Sequence, residues 1–154
     1  YTHIFQFSIF LCMSIHEFEL KFPLKHEIIK KNILDFEYYP NFMKQIKEVK
    51  ILEKSDSHIS TQETLIFKSI FTKEIVQTTM HTILNDRINS EITSGMAKGT
   101  KIQIILTENE DSTKINVKID LKLTLKARLF EPLIKKYMKM YVTGILRKIN
   151  NKLK

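Results

Sequence analysis

The stretch DFEYYPNFMKQIKEVKIL, Asp35 to Leu52, holds the change of pattern on which the fold turns. Upstream of it, LKHEIIKKNILDF spaces Leu24, Ile28, Ile29, Ile33 and Phe36 as one apolar face of a helix running from Leu24 to Phe36. Pro40 stops that helix, because the residue before a proline is pushed away from the α region. A second short helix is expected at about Asn41 to Gln45, and from Ile46 the apolar period becomes that of a strand. Tyr38, Tyr39, Pro40 and Phe42 sit between the two patterns. Such an aromatic corner either plugs the end of a core or forms the lip of an apolar cavity.

Working outward, SIHEFELKF before the corner puts Phe18, Leu20 and Phe22 on one parity and Glu17, Glu19 and Lys21 on the other, which is a half-buried strand ended by Pro23. After the corner, strands are expected at Val49–Lys54, Ile59–Phe71, Glu74–Leu84, Ile88–Gly95, Thr100–Glu108 and Lys114–Lys126. The last is the most regular: Ile115, Val117, Ile119, Leu121, Leu123 and Leu125 alternate with polar residues, so one face is buried and the other wet. Short polar turns between consecutive strands imply an antiparallel meander. A long helix closes the chain, Phe130 to Leu153, with an apolar stripe through Leu133, Ile134, Tyr137, Met138, Tyr141, Ile145 and Ile149. Pro132 falls in its first turn, where a missing N–H costs little. Gly144 lies mid-helix, as a close contact, a tolerated loss or a bend over a curved sheet.

The 154 residues suit one domain with one core, and 43% hydrophobic with 27% charged residues is a globular composition. No repeat or linker breaks the pattern, so residues 13–154 are read as a single domain. Residues 1–12 are read as an upstream extension, with Met13 as the natural start. The apolar run Ile4 to Met13 is too short to span a bilayer, and it lacks the basic region and cleavage site of a signal peptide. The lone Cys12 rules out an internal disulfide framework and a cysteine zinc site, and fits a cytoplasmic protein. The net charge of +8 is mostly lysine spread along the chain, read first as solvated surface.

Two motifs carry a family resemblance. LDFEYYPNFMKQIKEVKIL, Leu34 to Leu52, looks like an acidic pair, Tyr-Pro, an aromatic and then a strand, and INSEITSGMAKGTKIQIIL, Ile88 to Leu106, is similar to a strand–Gly–x–x–Lys–Gly hairpin. Together with the element order, these resemble the START-like, or SRPBCC, superfamily, and within it the polyketide cyclase/dehydrase and coenzyme-Q-binding-protein group. The resemblance implies an α+β helix-grip fold: a curved antiparallel sheet of about seven strands around a long C-terminal helix, with two short helices after the first strand. It also implies a cavity for an apolar ligand between sheet and helix.

In such a fold the candidate cavity residues are Tyr38, Tyr39 and Phe42 at the corner, Phe67, Phe71, Met80 and Met96 from the sheet, and Phe130, Tyr137, Met138 and Tyr141 from the helix. Methionines and aromatics suit an adaptable apolar pocket, and equally an irregular dry core. Thr78, Ser90 and Ser94 are candidates for the few polar groups that orient a ligand. No Gly-rich phosphate loop, HExxH or Cys–His pairing with ligand spacing is present, so no metal or other cofactor is implied. His81, between Thr79 and Thr82, could serve as a general base, though a lone strand histidine is more often structural. Asp35 and Glu37 read as solvated charge. The expected function is binding or carriage of a lipid, isoprenoid or quinone, without catalysis. The alternatives are a polyketide-cyclase-like enzyme using the same cavity and a protein-interaction module with a filled interior. Lysines on the C-terminal helix suggest a transient contact with anionic membrane. Nucleic acid is disfavoured, because the aromatics of that helix fall on its apolar stripe rather than among its basic residues. The oligomeric state is left open.

Overall fold

The computed structural model describes residues 14–68, 72–132, 134–136, 143–144, 147–148 and 151. Seven strands, β1 (Ser14–Phe22), β2 (Ile46–Lys54), β3 (His58–Lys68), β4 (Thr72–Ile83), β5 (Arg87–Ser94), β6 (Lys101–Glu108) and β7 (Thr113–Leu121), form one curved sheet in the order β1-β7-β6-β5-β4-β3-β2. Every neighbouring pair is antiparallel. The first strand therefore lies beside the last, and β2 forms the opposite edge. Register shifts in β2 and opposite Thr78/Thr79 of β4 mark bulges, which bend the strands and increase their twist.

The alternation expected of β7 decides which face is inside. Ile115, Val117, Ile119 and Leu121 are buried, and register puts Ile102, Ile104 and Leu106 of β6, Ile88 of β5 and Phe18, Leu20 and Phe22 of β1 on the same inner face. On the outer face Glu17 meets Lys118 at 3.5 Å and Glu19 meets Lys114 at 3.4 Å.

The helix expected from Leu24 to Phe36 is shorter: α1 spans His26–Ile33 and buries Ile29 and Ile33. It docks on one end of the sheet, where the Thr113 hydroxyl donates to the Leu24 carbonyl at 2.6 Å and His26 Nδ1 lies 2.8 Å from Glu108 Oε2. The chain leaves the helix at Asp35 (φ −81°, ψ 63°), before Pro40 can act, and tightens into a 3-10 helix over Phe36–Asn41 that contains Pro40. The second short helix is thus the aromatic corner itself, not the segment after it. The β7 strand ends at Leu121, five residues before the expected Lys126. A 3-10 turn follows at Ala127–Phe130, and every described residue from Glu131 onward is helical. Ile134 of this C-terminal helix is buried in the core. Farther along, Lys148 donates to the Phe42 carbonyl and stands 5.8 Å from the Phe42 ring, so the helix reaches the aromatic corner.

Candidate functional site

The inner face is not uniformly apolar. Opposite the aliphatic floor of β6 and β7, the inward positions of β3, β4 and β5 carry Thr61, Glu63, Thr79, His81 and Ser90. Register sets Thr61 against Thr79 and His81 against Ser90. Glu63 and His81 are each only 6% exposed. Burying such groups costs several kcal/mol unless partners meet them, roughly 1–3 for each unsatisfied polar group.

Partners do meet them. Glu63 Oε1 accepts from the Thr61 hydroxyl, and Oε2 accepts from the Thr79 hydroxyl at 2.9 Å. Thr61 Oγ1 lies 2.9 Å from His81 Nε2, and His81 Nδ1 lies 2.7 Å from Ser90 Oγ. The result is a continuous chain, Glu63–Thr61–His81–Ser90, along the inner surface. A hydroxyl has one proton to give. When Glu63 is ionised, Thr61 donates to it, so His81 Nε2–H donates to Thr61, and Ser90 donates to Nδ1. When Glu63 is protonated on Oε1, it donates to Thr61 and the later bonds reverse, moving the imidazole proton to Nδ1. The tautomer of His81 is thus coupled to a proton on that oxygen.

Burial pushes both groups toward neutrality. Desolvation raises the Glu63 carboxyl above its usual range, against hydrogen bonds from Thr61, Thr79 and Gln77 that favour the ionised form. Desolvation also lowers His81 from 6.5 to about 4. The Phe36 ring stacks on the imidazole at 4.1 Å and 21°, and Tyr39 meets Phe36 edge-on at 5.5 Å. Tyr39 is itself buried, with its hydroxyl donating to the Ile33 carbonyl. Burial, with Asp35 and Glu63 nearby, raises its phenol far above the usual value.

At the aromatic corner the core is closed off. Phe36 and Tyr39 close the core over the polar chain, Phe42 is half-buried, and Tyr38 is exposed. Of the other residues singled out from sequence, Ser90 joins the chain and Phe67 is half-buried at the end of the same face. Met96 packs against the core from the β5–β6 hairpin. Thr78, Met80 and Ser94 lie on the outer face, where the Thr78 and Ser94 hydroxyls bond each other at 2.6 Å. Phe71, Tyr137, Met138 and Tyr141 lie outside the described residues, as does the side chain of Phe130. Glu63, Thr61, Thr79 and Phe36 were not anticipated. The signal for Thr61 and Glu63 was present in HISTQETLIF, where a carboxylate shares parity with Ile59, Leu65 and Phe67.

The outer face carries a trough of about 640 Å³, where Met80 is joined by Thr82, Asn89 and Gln103 beside Lys101, Lys118 and Asp120. Its lining mixes apolar surface with these charged groups. Among the described residues, no group of three His, Cys, Asp or Glu side chains could hold a metal ion.

The architecture is that of known helix-grip proteins. A protein from Thermus thermophilus, TTHA0849, superposes with a TM-score of 0.75 at 13% identity, covering 90% of this chain and 95% of its own. The Zhui aromatase/cyclase of a Streptomyces species gives 0.74 at 11% identity, covering 92% and 96%. A START superfamily protein from Mycobacterium smegmatis gives 0.72 at 17% identity, covering 91% and 99%. These likenesses show that the fold is shared. No curated protein sequence matches the chain. The sequence model of the family described as polyketide cyclase / dehydrase and lipid transport matches residues 32–149, well over half the chain, and the chain belongs to that family.

Proposed function

We propose that this protein binds and carries a small apolar molecule of the lipid, isoprenoid or quinone class between the inner face of its sheet and its C-terminal helix. The buried chain Glu63–Thr61–His81–Ser90 would hold the polar end of that ligand. The observation that carries this reading is the chain itself, which puts matched donors and acceptors on an otherwise aliphatic surface where packing alone would be served by leucine. Ligand pockets combine these features: a mostly apolar wall and a few placed polar groups. Because both ionisable members are pushed toward neutrality, the matching head group is an uncharged hydroxyl or carbonyl rather than a carboxylate or phosphate. Phe36, Tyr39, Phe42, Phe67 and Met96 are the described apolar candidates around it, and the lone cysteine supports a cytoplasmic setting.

The test is native mass spectrometry of gently purified protein with lipid extraction, followed by titration with a fluorescent quinone analogue. A co-purifying apolar compound, and probe affinity that falls in His81→Leu, support carriage. Protein that is always empty and binds no probe moves the assignment to an interaction module with a filled interior.

One feature favours a second reading, a cyclase-like enzyme in the same space. The reversible hydrogen-bond chain can pass a proton between Glu63 and His81 through one hydroxyl, which is what general acid–base chemistry on a poly-ketone chain requires. Conversion of such a chain to an aromatic product by the wild type, abolished in Glu63→Gln, would establish the enzyme.

A further inference from the structure

At the end of the sheet opposite α1, the chain between β7 and the C-terminal helix makes a tip whose side chains are arranged against the usual rule. Leu125 is 78% exposed and Leu129 is 86% exposed, while Ala127 between them is fully buried. The backbone holds this inversion in place. Thr124 carbonyl accepts from Ala127 N at 3.0 Å and from Arg128 N at 3.1 Å, and Thr124 N donates to the Met96 carbonyl at 3.1 Å. The Thr100 hydroxyl donates to the Lys122 carbonyl and accepts from the Lys122 amide, both at 3.0 Å. The tip is thus tied to the Gly95–Gly99 hairpin, and its leucines are presented rather than frayed.

Basic residues flank the leucines in the sequence and on the hairpin tied to the tip. Lys126 and Lys98 are exposed, Lys122 and Arg128 are half-exposed, and the adjoining carboxylate, Glu131, is paired with Lys135 at 2.9 Å. We propose that this tip docks on an anionic lipid surface, with Leu125 and Leu129 entering the acyl–headgroup boundary and Lys98, Lys122, Lys126 and Arg128 meeting the lipid phosphates. Two protruding aliphatic side chains flanked by basic residues match that boundary in both polarity and charge. The protein's +8 net charge adds long-range attraction to the same surface. A protein partner would instead call for a broad complementary face, whereas among the described residues the exposed apolar area here is confined to two side chains. The proposal locates the membrane contact on this tip rather than on the C-terminal helix lysines. It supports carriage of an apolar ligand but does not depend on it.

The test is sedimentation of the full chain with phosphatidylcholine vesicles, with and without phosphatidylserine, at low and high salt. The expected result is binding to the phosphatidylserine vesicles that weakens with salt. Leu125→Ser and Leu129→Ser should each lower the partition coefficient roughly tenfold, as loss of a buried leucine contact implies. Lys126→Gln and Arg128→Gln should each lower it about fivefold. Absence of wild-type binding, or binding that the leucine changes leave untouched, overturns the proposal. So does a concentration-dependent dimer abolished by Leu129→Ser, which would make a second copy the occupant. A fall of several degrees in the melting temperature of the leucine variants would show that the chain itself covers these side chains, and equally overturns it. Vesicle binding is read without any ligand, so its failure leaves the probe titration to judge carriage separately.

Discussion

Lowering the pH should destabilise this protein through His81. The imidazole is buried, bonded on both nitrogens to hydroxyls and stacked under Phe36, and its folded value lies near 4 against 6.5 in the unfolded chain. A base whose folded value is lowered contributes stability that is complete above its unfolded value. That stability is lost as the pH falls from about 6.5 toward 4, because the unfolded chain takes up the proton first. A gap of this size, at about 1.4 kcal/mol per pH unit, corresponds to roughly 3 kcal/mol. Glu63 acts with the opposite sign: its raised value means that stability is greatest when it is protonated and falls as the pH rises through its folded value. The two must therefore be separated. Urea melts of wild type and His81→Gln, compared at pH 7.5 and pH 4, isolate the histidine, since an amide can bond both hydroxyls without titrating. Relative to the variant, the wild type should lose about 3 kcal/mol on acidification. A difference that does not change with pH would show that the imidazole is solvated. A wild type that gains on the variant in acid would show an imidazolium paired with a Glu63 carboxylate, refuting the neutral chain described above.

Glu63→Gln should raise stability at pH 7.5, with the gain fading as the pH falls toward about 4.5 and gone below it, because it keeps the bonds and removes a group whose ionised form is desolvated; chemical denaturation across that range measures it. Leu121→Lys puts a charge into the inner face at a site 1% exposed and should cost several kcal/mol, while Lys122→Glu should change urea midpoints little. A methyl group added at Gly144 would meet nothing within 4 Å, so Gly144→Ala should be tolerated and should raise stability by up to about 1 kcal/mol in a thermal melt. Replacing the polar chain as a unit, with Thr61→Val, Glu63→Leu, Thr79→Val and His81→Leu together, should leave stability equal or higher, since only the half-buried Ser90 and Gln77 lose a partner and both can reach water. The same variant should bind a quinone probe at least tenfold more weakly, and unchanged affinity would make the chain a purely structural feature.

Side-chain period made much of the fold legible, and the places where it misled have a common cause. Period reports which face a residue takes while the chain is in a sheet, but not where a strand's neighbours run out. Leu123 and Leu125 continue the alternation of β7, yet the pairing ends at Leu121, opposite Ser14, and at Asp120, opposite Lys101. Beyond them the Lys122 backbone bonds the Thr100 hydroxyl instead of a strand, so the chain turns and Leu125 emerges into solvent. The short α1 has a similar origin. Phe36 keeps helical spacing with Ile29 and Ile33, but it is carried on a 3-10 turn, whose tighter winding brings its ring onto His81.

The candidate site was legible only in part, because hydroxyls, amides and methionines fit either face of a sheet and leave position to be settled by parity and register. Met80 and His81 are adjacent on β4, and adjacent strand residues point to opposite faces, so they cannot both line one cavity. The histidine takes the inner face and the methionine the outer trough. Ser90 and Ser94 share parity on paper, yet Thr79 pairs with Ile92 while Thr78 pairs with Ser94, leaving Thr93 as an extra residue. That bulge turns Ser94 outward and leaves Ser90 as the hydroxyl that reaches the imidazole. Glu63 was hidden for a different reason. A single carboxylate among inward-facing residues breaks the hydrophobic pattern and so resembles noise, and only the convergence of Thr61 and Thr79 from two strands shows that the position is provided for. A charged residue at an inward strand position is thus most informative when the inward positions next to it, on its own strand and diagonally across, carry hydroxyls. The pairing of Thr61 with Thr79 meets that condition, and it joins Glu63 and His81 into one buried unit.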